Sequence, residues 1–281
     1  MDINNRFLHF LLSRLAPCLL PIAFCLLATP SVSAQKWTLY KKNDSLDCRY
    51  FLTDQLRDIY IITYKNELLK YDGEGYFDSR FSFKKYGKIG YVDVTNPFKI
   101  ILHYNDYQCI VIIDGALNPI KTLFLNDMGV ASAGALAMSD SGEMWVYDNS
   151  VNKILRFAID ANGFKLANTS PLLSMPTLQA TQMLVRGNMV YLNAPTKGIA
   201  VFDQFGKYVK TLDIKNATDL QIIENQLFYK QANKYFRFNL QTLVNAQISL
   251  PEGVSGDRYM QMQKGRFYAQ RSTSIDVYDE K

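Results

Sequence analysis

Ser141–Gly163 reads SGEMWVYDNSVNKILRFAIDANG. Glu143–Asp148 reads as one strand and Lys153–Ile159 as a second, with Asn149–Asn152 as the polar turn between them. Met144, Val146, Ile154, Leu155, Phe157 and Ile159 are apolar residues that suit a pleated, packed surface. Ser-Gly and Asn-Gly pairs punctuate the run at both ends.

The unit recurs. Its apolar-aromatic step is found again at Ile59-Tyr60, Ile100-Ile101, Val190-Tyr191, Leu227-Phe228 and Arg266-Phe267-Tyr268. The steps lie about 37 to 46 residues apart, close to the spacing of propeller blades. After each comes a further strand: Leu68–Tyr71, Ile110–Ile113, Lys153–Phe157, Ile199–Phe202, Tyr235–Phe238 and Ser274–Tyr278. Most of these run into Asp72, Asp114, Asp203, Asn239 or Asp279, often with a glycine next, as turn formers do. An outer strand follows in every unit but the last, where the chain stops at Lys281. Lys36–Lys41 is a lone strand ahead of the first unit and can supply the missing piece, closing the ring and removing its open seam. The inner strands are expected at Cys48–Leu52, Val92–Thr95, Leu136–Met138, Gln182–Val185, Leu220–Ile223 and Tyr259–Met262. The fold class is therefore all-β: a six-bladed β-propeller of four-stranded antiparallel blades over 35–281, closed by an N-terminal strand, with almost no helix.

Met1–Ala34 reads as a signal peptide. Arg6 and Arg14 give a basic start, Leu15–Leu27 an uncharged apolar run too short to span a bilayer, and Val32-Ser33-Ala34 a small-residue cleavage site. An uncleaved anchor is the alternative, and lipidation at Cys18 or Cys25 is disfavoured by Pro17 and Phe24 in front of them. Cleavage would place the chain across the inner membrane, periplasmic or associated with the outer membrane. The net charge of +5 is spread without a basic block, which argues against nucleic acid as a partner. Two cysteines remain beyond the leader. Cys48 and Cys109 are either a disulfide or two separate buried thiols.

Ser141–Asp148 with Asn152–Phe157, echoed by Gly198–Lys207, resembles the six-bladed NHL/YWTD-type propeller superfamily. Phe51–Gln55 through Asp93–Ile100 is similar to secreted propellers of Bacteroidota-type bacteria that have no established activity. The resemblance implies a fold and a compartment. It implies no reaction, because one fold hosts many functions.

Residues suited to catalysis are sparse. Beyond the leader the one histidine is His103, at a strand end, and no nucleophile elbow, H-E-x-x-H, paired C-x-x-C or EF-hand loop is present. No cofactor is expected. Some six-bladed relatives hold calcium in the channel, and Asp93, Asn96, Asp140 and Asp219 are the oxygen donors available here, short of the six to eight that calcium takes. The better surface is the face of the disc that carries the blade-to-blade links and the turns between second and third strands. There Tyr86, Lys88, Tyr91, Tyr104 and Tyr107 are expected to gather into a binding face. The slack link Gly129–Ala135 is expected over the channel mouth.

The leading expectation is a non-catalytic protein-binding or assembly module of the cell envelope. The alternatives are a carbohydrate- or peptidoglycan-binding propeller and a metal-dependent lactonase-like or lyase-like enzyme.

Overall fold

The computed structural model describes residues 37–160, 163–170, 177–256 and 258–280; the predicted leader lies outside them. The described strands form six four-stranded antiparallel sheets, the blades of a propeller. The first blade is β2 (Tyr50–Thr53), β3 (Ile59–Ile62), β4 (Glu67–Tyr71) and β5 (Phe77–Ser82). The second is β6 (Ile89–Asp93), β7 (Ile100–Tyr104), β8 (Cys109–Ile113) and β9 (Pro119–Phe124). The third is β10 (Ala133–Met138), β11 (Met144–Asp148), β12 (Lys153–Asp160) and β13 (Gly163–Thr169). The fourth is β14 (Gln182–Arg186), β15 (Met189–Ala194), β16 (Gly198–Asp203) and β17 (Tyr208–Leu212), and the fifth β18 (Thr218–Ile223), β19 (Gln226–Gln231), β20 (Lys234–Asn239) and β21 (Asn245–Ile248). The sixth takes β22 (Met260–Gln263), β23 (Arg266–Gln270) and β24 (Ile275–Glu280) from the C-terminal end and β1 (Trp37–Asn43) from the other. The only helical turn among the described residues is a 3-10 turn at Asn105–Tyr107.

Closure is set by register. β1 runs antiparallel to β24 from Trp37 opposite Glu280 to Asn43 opposite Ile275, with a bulge between Leu39 and Lys41. The Trp37 ring packs 5.3 Å from Phe267, and its Nε1 donates to the Ser249 carbonyl at 2.7 Å. Arg266 ties the closed blade to its neighbour: it bonds Asp279 at 2.9 Å, donates to the Gly73 carbonyl at 2.8 Å and lies over the Tyr40 ring. Tyr40 in turn donates to Glu74.

The core is divided into six clusters, one between each pair of adjacent blades. Side chains alternate across a strand, so a middle strand feeds two clusters at once. Ile100, Leu102 and Tyr104 pack toward the first blade, and Ile101 toward the third. Such strands are buried on both faces, which is why Ile100–Tyr104 and Cys109–Ile113 are buried at every position. Outer strands face solvent on one side, and the pattern of Tyr208–Leu212 is exposed except at Leu212.

The acidic and amide residues after the third strands are turn formers. Asp72 Oδ1 accepts from the backbone N–H of Glu74 and Tyr76, Asp114 from Ala116 and Asn118, Asp203 from Phe205 and Lys207, and Asn239 from Gln241 and Thr242. Each carboxylate or amide replaces the hydrogen bonds that the chain loses on leaving the sheet.

One expectation is corrected. Gly129–Ala135 is not all link, because β10 begins at Ala133 and the small residues pass into the inner wall. Of the two readings open for the cysteines, the structure has two separate buried thiols. Cys48 is buried between the sixth and first blades and Cys109 between the first and second, so the first sheet separates them, and both are free.

Candidate functional site

Antiparallel order fixes the two faces of the disc. Links between blades and turns between second and third strands share the upper face; turns between first and second, and between third and fourth strands, share the lower. The inner strands β2, β6, β10, β14, β18 and β22 surround the axis and leave a cavity at each mouth.

The lower cavity, of about 260 Å³, is lined by Thr53, Asp54, Asp93, Asp140, Arg186, Gln221 and Gln263 among others. Three of its four lining acids are engaged, and the fourth, Glu224, is exposed. Asp54 Oδ1 accepts from the backbone of Leu56 and Asp58, and Oδ2 from the Tyr60 hydroxyl. Burial, with Asp58 nearby, pushes the Asp54 carboxyl up to about 6. Asp93 accepts from Thr95 N at 2.7 Å and, across to the next blade, from Met138 N at 2.8 Å, and burial raises its pKa too. Asp140 forms an ion pair with Arg186 at 3.0 Å.

The Asp93 contact belongs to a belt around the channel. Gln182 pairs both of its amide groups with Leu220, Gln221 accepts from Met262 N, and Gln263 donates to the Thr53 carbonyl. Each of these side chains reaches the backbone of a neighbouring inner strand. Adjacent blades splay apart and their inner strands do not pair, so these long polar side chains satisfy backbone groups that a ladder would otherwise hold.

The upper cavity, of about 280 Å³, is lined by Tyr50, Tyr91, Asn193, Asp219 and Tyr259 among others. The Tyr50 and Tyr259 rings are 5.8 Å apart and tilted by 43°. Lys230 forms an ion pair with Asp219 at 3.0 Å and lies over the Tyr259 ring. Burial is the main influence on Asp219 and raises its pKa, against the pull of Lys230. Asn193 is 1% exposed; its Nδ2 donates to the Ala217 carbonyl at 3.0 Å and to Thr181 Oγ1 at 3.2 Å. The Asn193 Oδ1 and the Tyr50 hydroxyl are enclosed and have no partner in the protein.

The residues expected to form the binding face divide. Lys88 and Tyr107 are exposed on the upper face. Tyr86 and Tyr104 are not on the surface: both are buried between the first two blades, with ring centroids 6.0 Å apart. Tyr86 is the hub of an aromatic cluster that also takes Phe83, Tyr107 and Phe124. Tyr91 was expected in a link, but β6 starts at Ile89 and Tyr91 enters the channel wall. Asp93 ends β6 by capturing Thr95 N, which shifts the inner strand toward the N-terminus of its expected range.

The potential ligands Asp93, Asn96, Asp140 and Asp219 do not converge. Asp93 and Asp140 line the lower cavity, Asp219 the upper, and Asn96 accepts from Phe98 N in a turn. Among the described residues no group of three or more His, Cys, Asp or Glu side chains is placed to hold a metal ion. His103 is buried, and burial lowers its pKa to about 4, so it is neutral at physiological pH. Burial pushes the Cys48 thiol up to about 12 and the Cys109 thiol to about 11, far from a reactive thiolate.

No protein-family model matches the chain, and no curated protein matches it in sequence. Solved structures do match in shape. The Pan2 WD40 domain of Neurospora crassa aligns with a TM-score of 0.61 at 11% identity, covering 88% of this chain and 96% of that one. Virginiamycin B lyase of Staphylococcus aureus aligns with a TM-score of 0.60 at 11% identity, over 87% of this chain and 99% of that one. A streptogramin B lyase aligns at 0.54 and 12% identity, over 88% and 97%. At these identities the likeness establishes the β-propeller fold and nothing finer.

Proposed function

We propose that this protein is a binding or assembly propeller of the bacterial cell envelope, that it acts without catalysis of its own, and that it holds a protein partner on the lower face of the disc. The observation that carries the reading is the distribution of exposed apolar side chains. Leu56, Tyr76, Phe98, Phe205 and Leu243 stand at or beside lower-face turns of the first, second, fourth and fifth blades, each more than half exposed. Turn tips need polar or small residues for their own geometry, so five large apolar ones on this face, against Tyr64 and Tyr107 at upper-face turns, are costly unless covered. The face differs from the one expected from sequence, because two of the tyrosines that defined that expectation are internal.

The leader-like Met1–Ala34 supports the compartment, and the NHL/YWTD-like pattern of Ser141–Phe157 is part of the same reading. The lyase-like or lactonase-like alternative needs several carboxylates free to act together in the channel, and three of the four acids of the lower cavity are engaged by backbone, hydroxyl or arginine groups, which leaves Glu224 without a second carboxylate to work with. Cross-linking of tagged protein in intact cells, followed by mass spectrometry, tests the proposal. A stoichiometric envelope protein is expected, captured by the wild type and by the upper-face variant Tyr64→Asp, and lost in Phe98→Asp with Phe205→Asp. Absence of such a partner, or capture that ignores the lower-face changes, overturns it.

A further inference from the structure

We propose that the upper mouth of the channel is a saccharide site, which takes one sugar ring of a glycan against Tyr259 and Tyr50 with its hydroxyls directed at Asn193. The inference is independent of the protein-binding face, which lies on the other side of the disc.

Asn193 is the central observation. Its amide orientation is fixed, because only Nδ2 can donate to the Ala217 carbonyl. Oδ1 is therefore left as an enclosed acceptor with no donor from the protein, on a side chain that lines the cavity. The Tyr50 hydroxyl, beside the Arg49 guanidinium, is a second enclosed group in the same cavity wall, and its O–H has no acceptor in the protein. Burial pushes that hydroxyl up to about 12, so it remains a donor at neutral pH. An unpartnered buried polar atom costs about 1–3 kcal/mol, so two around one cavity mark a place where ligand groups are wanted.

The chemistry of the walls selects among ligand classes. A cation would need an uncompensated carboxylate, but Asp219 is already matched by Lys230 at 3.0 Å. An anion would need a free cation in the wall, but Lys230 is held by Asp219, and Arg49, which donates to the Ile89 carbonyl at 2.8 Å, is not among the lining residues. A purely apolar ligand would leave Asn193 Oδ1 and the Tyr50 hydroxyl as unpartnered as before. What remains is a neutral ligand with hydroxyl donors and an apolar ring face. The tilted Tyr50–Tyr259 pair offers the matching surface, and Tyr259 is 36% exposed where the cavity opens. The cavity of about 280 Å³ suits a single ring with the rest of a chain extending outward.

The test uses the full-chain protein and short cello-, malto-, xylo- and chito-oligosaccharides as probes, with isothermal titration calorimetry and saturation-transfer NMR. At least one series is expected to bind. Tyr50→Phe should weaken that binding by roughly 5- to 10-fold, the worth of one hydrogen bond, while leaving the melting temperature close to that of the wild type, because the removed O–H has no acceptor in the free protein. Tyr259→Ala should weaken it at least as much. A merely structural tyrosine would lower the melting temperature in Tyr50→Phe without touching affinity. No binding by any series, binding that ignores both substitutions, or preferential binding of choline or an acidic peptide overturns the proposal. The result is separable from the lower-face reading, since neither tyrosine lies on that face.

Discussion

Trp37→Ala should open the ring at its seam. The indole is half-buried against the sixth blade and packs 5.3 Å from Phe267. A fully buried aromatic ring removes about 150–250 Å² from water, so a half-buried one removes roughly 100 Å². At ~25 cal/mol per Å² that contributes about 2.5 kcal/mol. The bond from Nε1 to the Ser249 carbonyl adds about 1 kcal/mol. The loss of about 3.5 kcal/mol should lower the melting temperature by about 7–14 °C, at about 2–4 °C per kcal/mol for a domain of this size. Trp37→Phe keeps most of the ring and loses the donor, so it should cost about 1 kcal/mol and about 2–4 °C. Deleting residues 35–42 should cost more than either, because it also leaves β24 as an open edge. Scanning calorimetry on the three variants measures all of this. An unchanged melt in Trp37→Ala, or equal losses in the Ala and Phe variants, would refute the account of closure by packing.

Further outcomes follow from buried groups and tight turns. The His103 pKa of about 4 lies below its ordinary value, so the stability it confers is full above about pH 6.5 and is lost as pH falls toward 4, about 3 kcal/mol in all. His103→Gln should flatten that acid limb in urea titrations at a series of pH values. Asp54 has the opposite sign: its pKa is raised to about 6, so its contribution is present below about pH 4 and is lost as pH rises through 6. Asp54→Asn should remove that decline while leaving the histidine limb in place, and identical pH profiles for wild type and variant would count against the assignment. Cys48 and Cys109 should react with a thiol reagent only as fast as the protein unfolds, and a count below two free thiols in the denatured, unreduced protein would contradict the structure. Gly198 sits at φ +107 with the Leu212 carbonyl 2.4 Å from where a Cβ would stand, so Gly198→Ala should destabilise by more than the ~1 kcal/mol of a simple turn glycine.

Much of the fold is legible in the sequence because it is written in local patterns. The strand-turn-strand of Ser141–Gly163, its recurrence and the lone strand near Trp37 each depend on neighbours in the chain, and the closed six-bladed ring follows from them. The inner strands are harder to read, since they are short and one face lines the channel. Asp93 shows why: whether it continues β6 or ends it is decided by its carboxylate capturing Thr95 N. The candidate sites are less legible still. Tyr104 and Tyr107 are three residues apart, yet one is fully buried and the other 59% exposed, a difference set by the blade beside them. Asn193 has no sequence signal at all, because its significance lies in an oxygen left over after its nitrogen has been used.

The strand that completes the sixth blade also imposes a schedule. During synthesis Trp37 is among the first residues of the propeller to appear, and its partner strand from Ile275 to Glu280 is the last. Earlier blades can form as they emerge, but the first strand must wait, unpaired, until β24 has been made. A product cut short by even its final strand would keep β1 as a loose, tyrosine- and tryptophan-bearing segment that proteases and chaperones can recognise. The seam is thus a test of completeness for the propeller, passed only once β24 has been made.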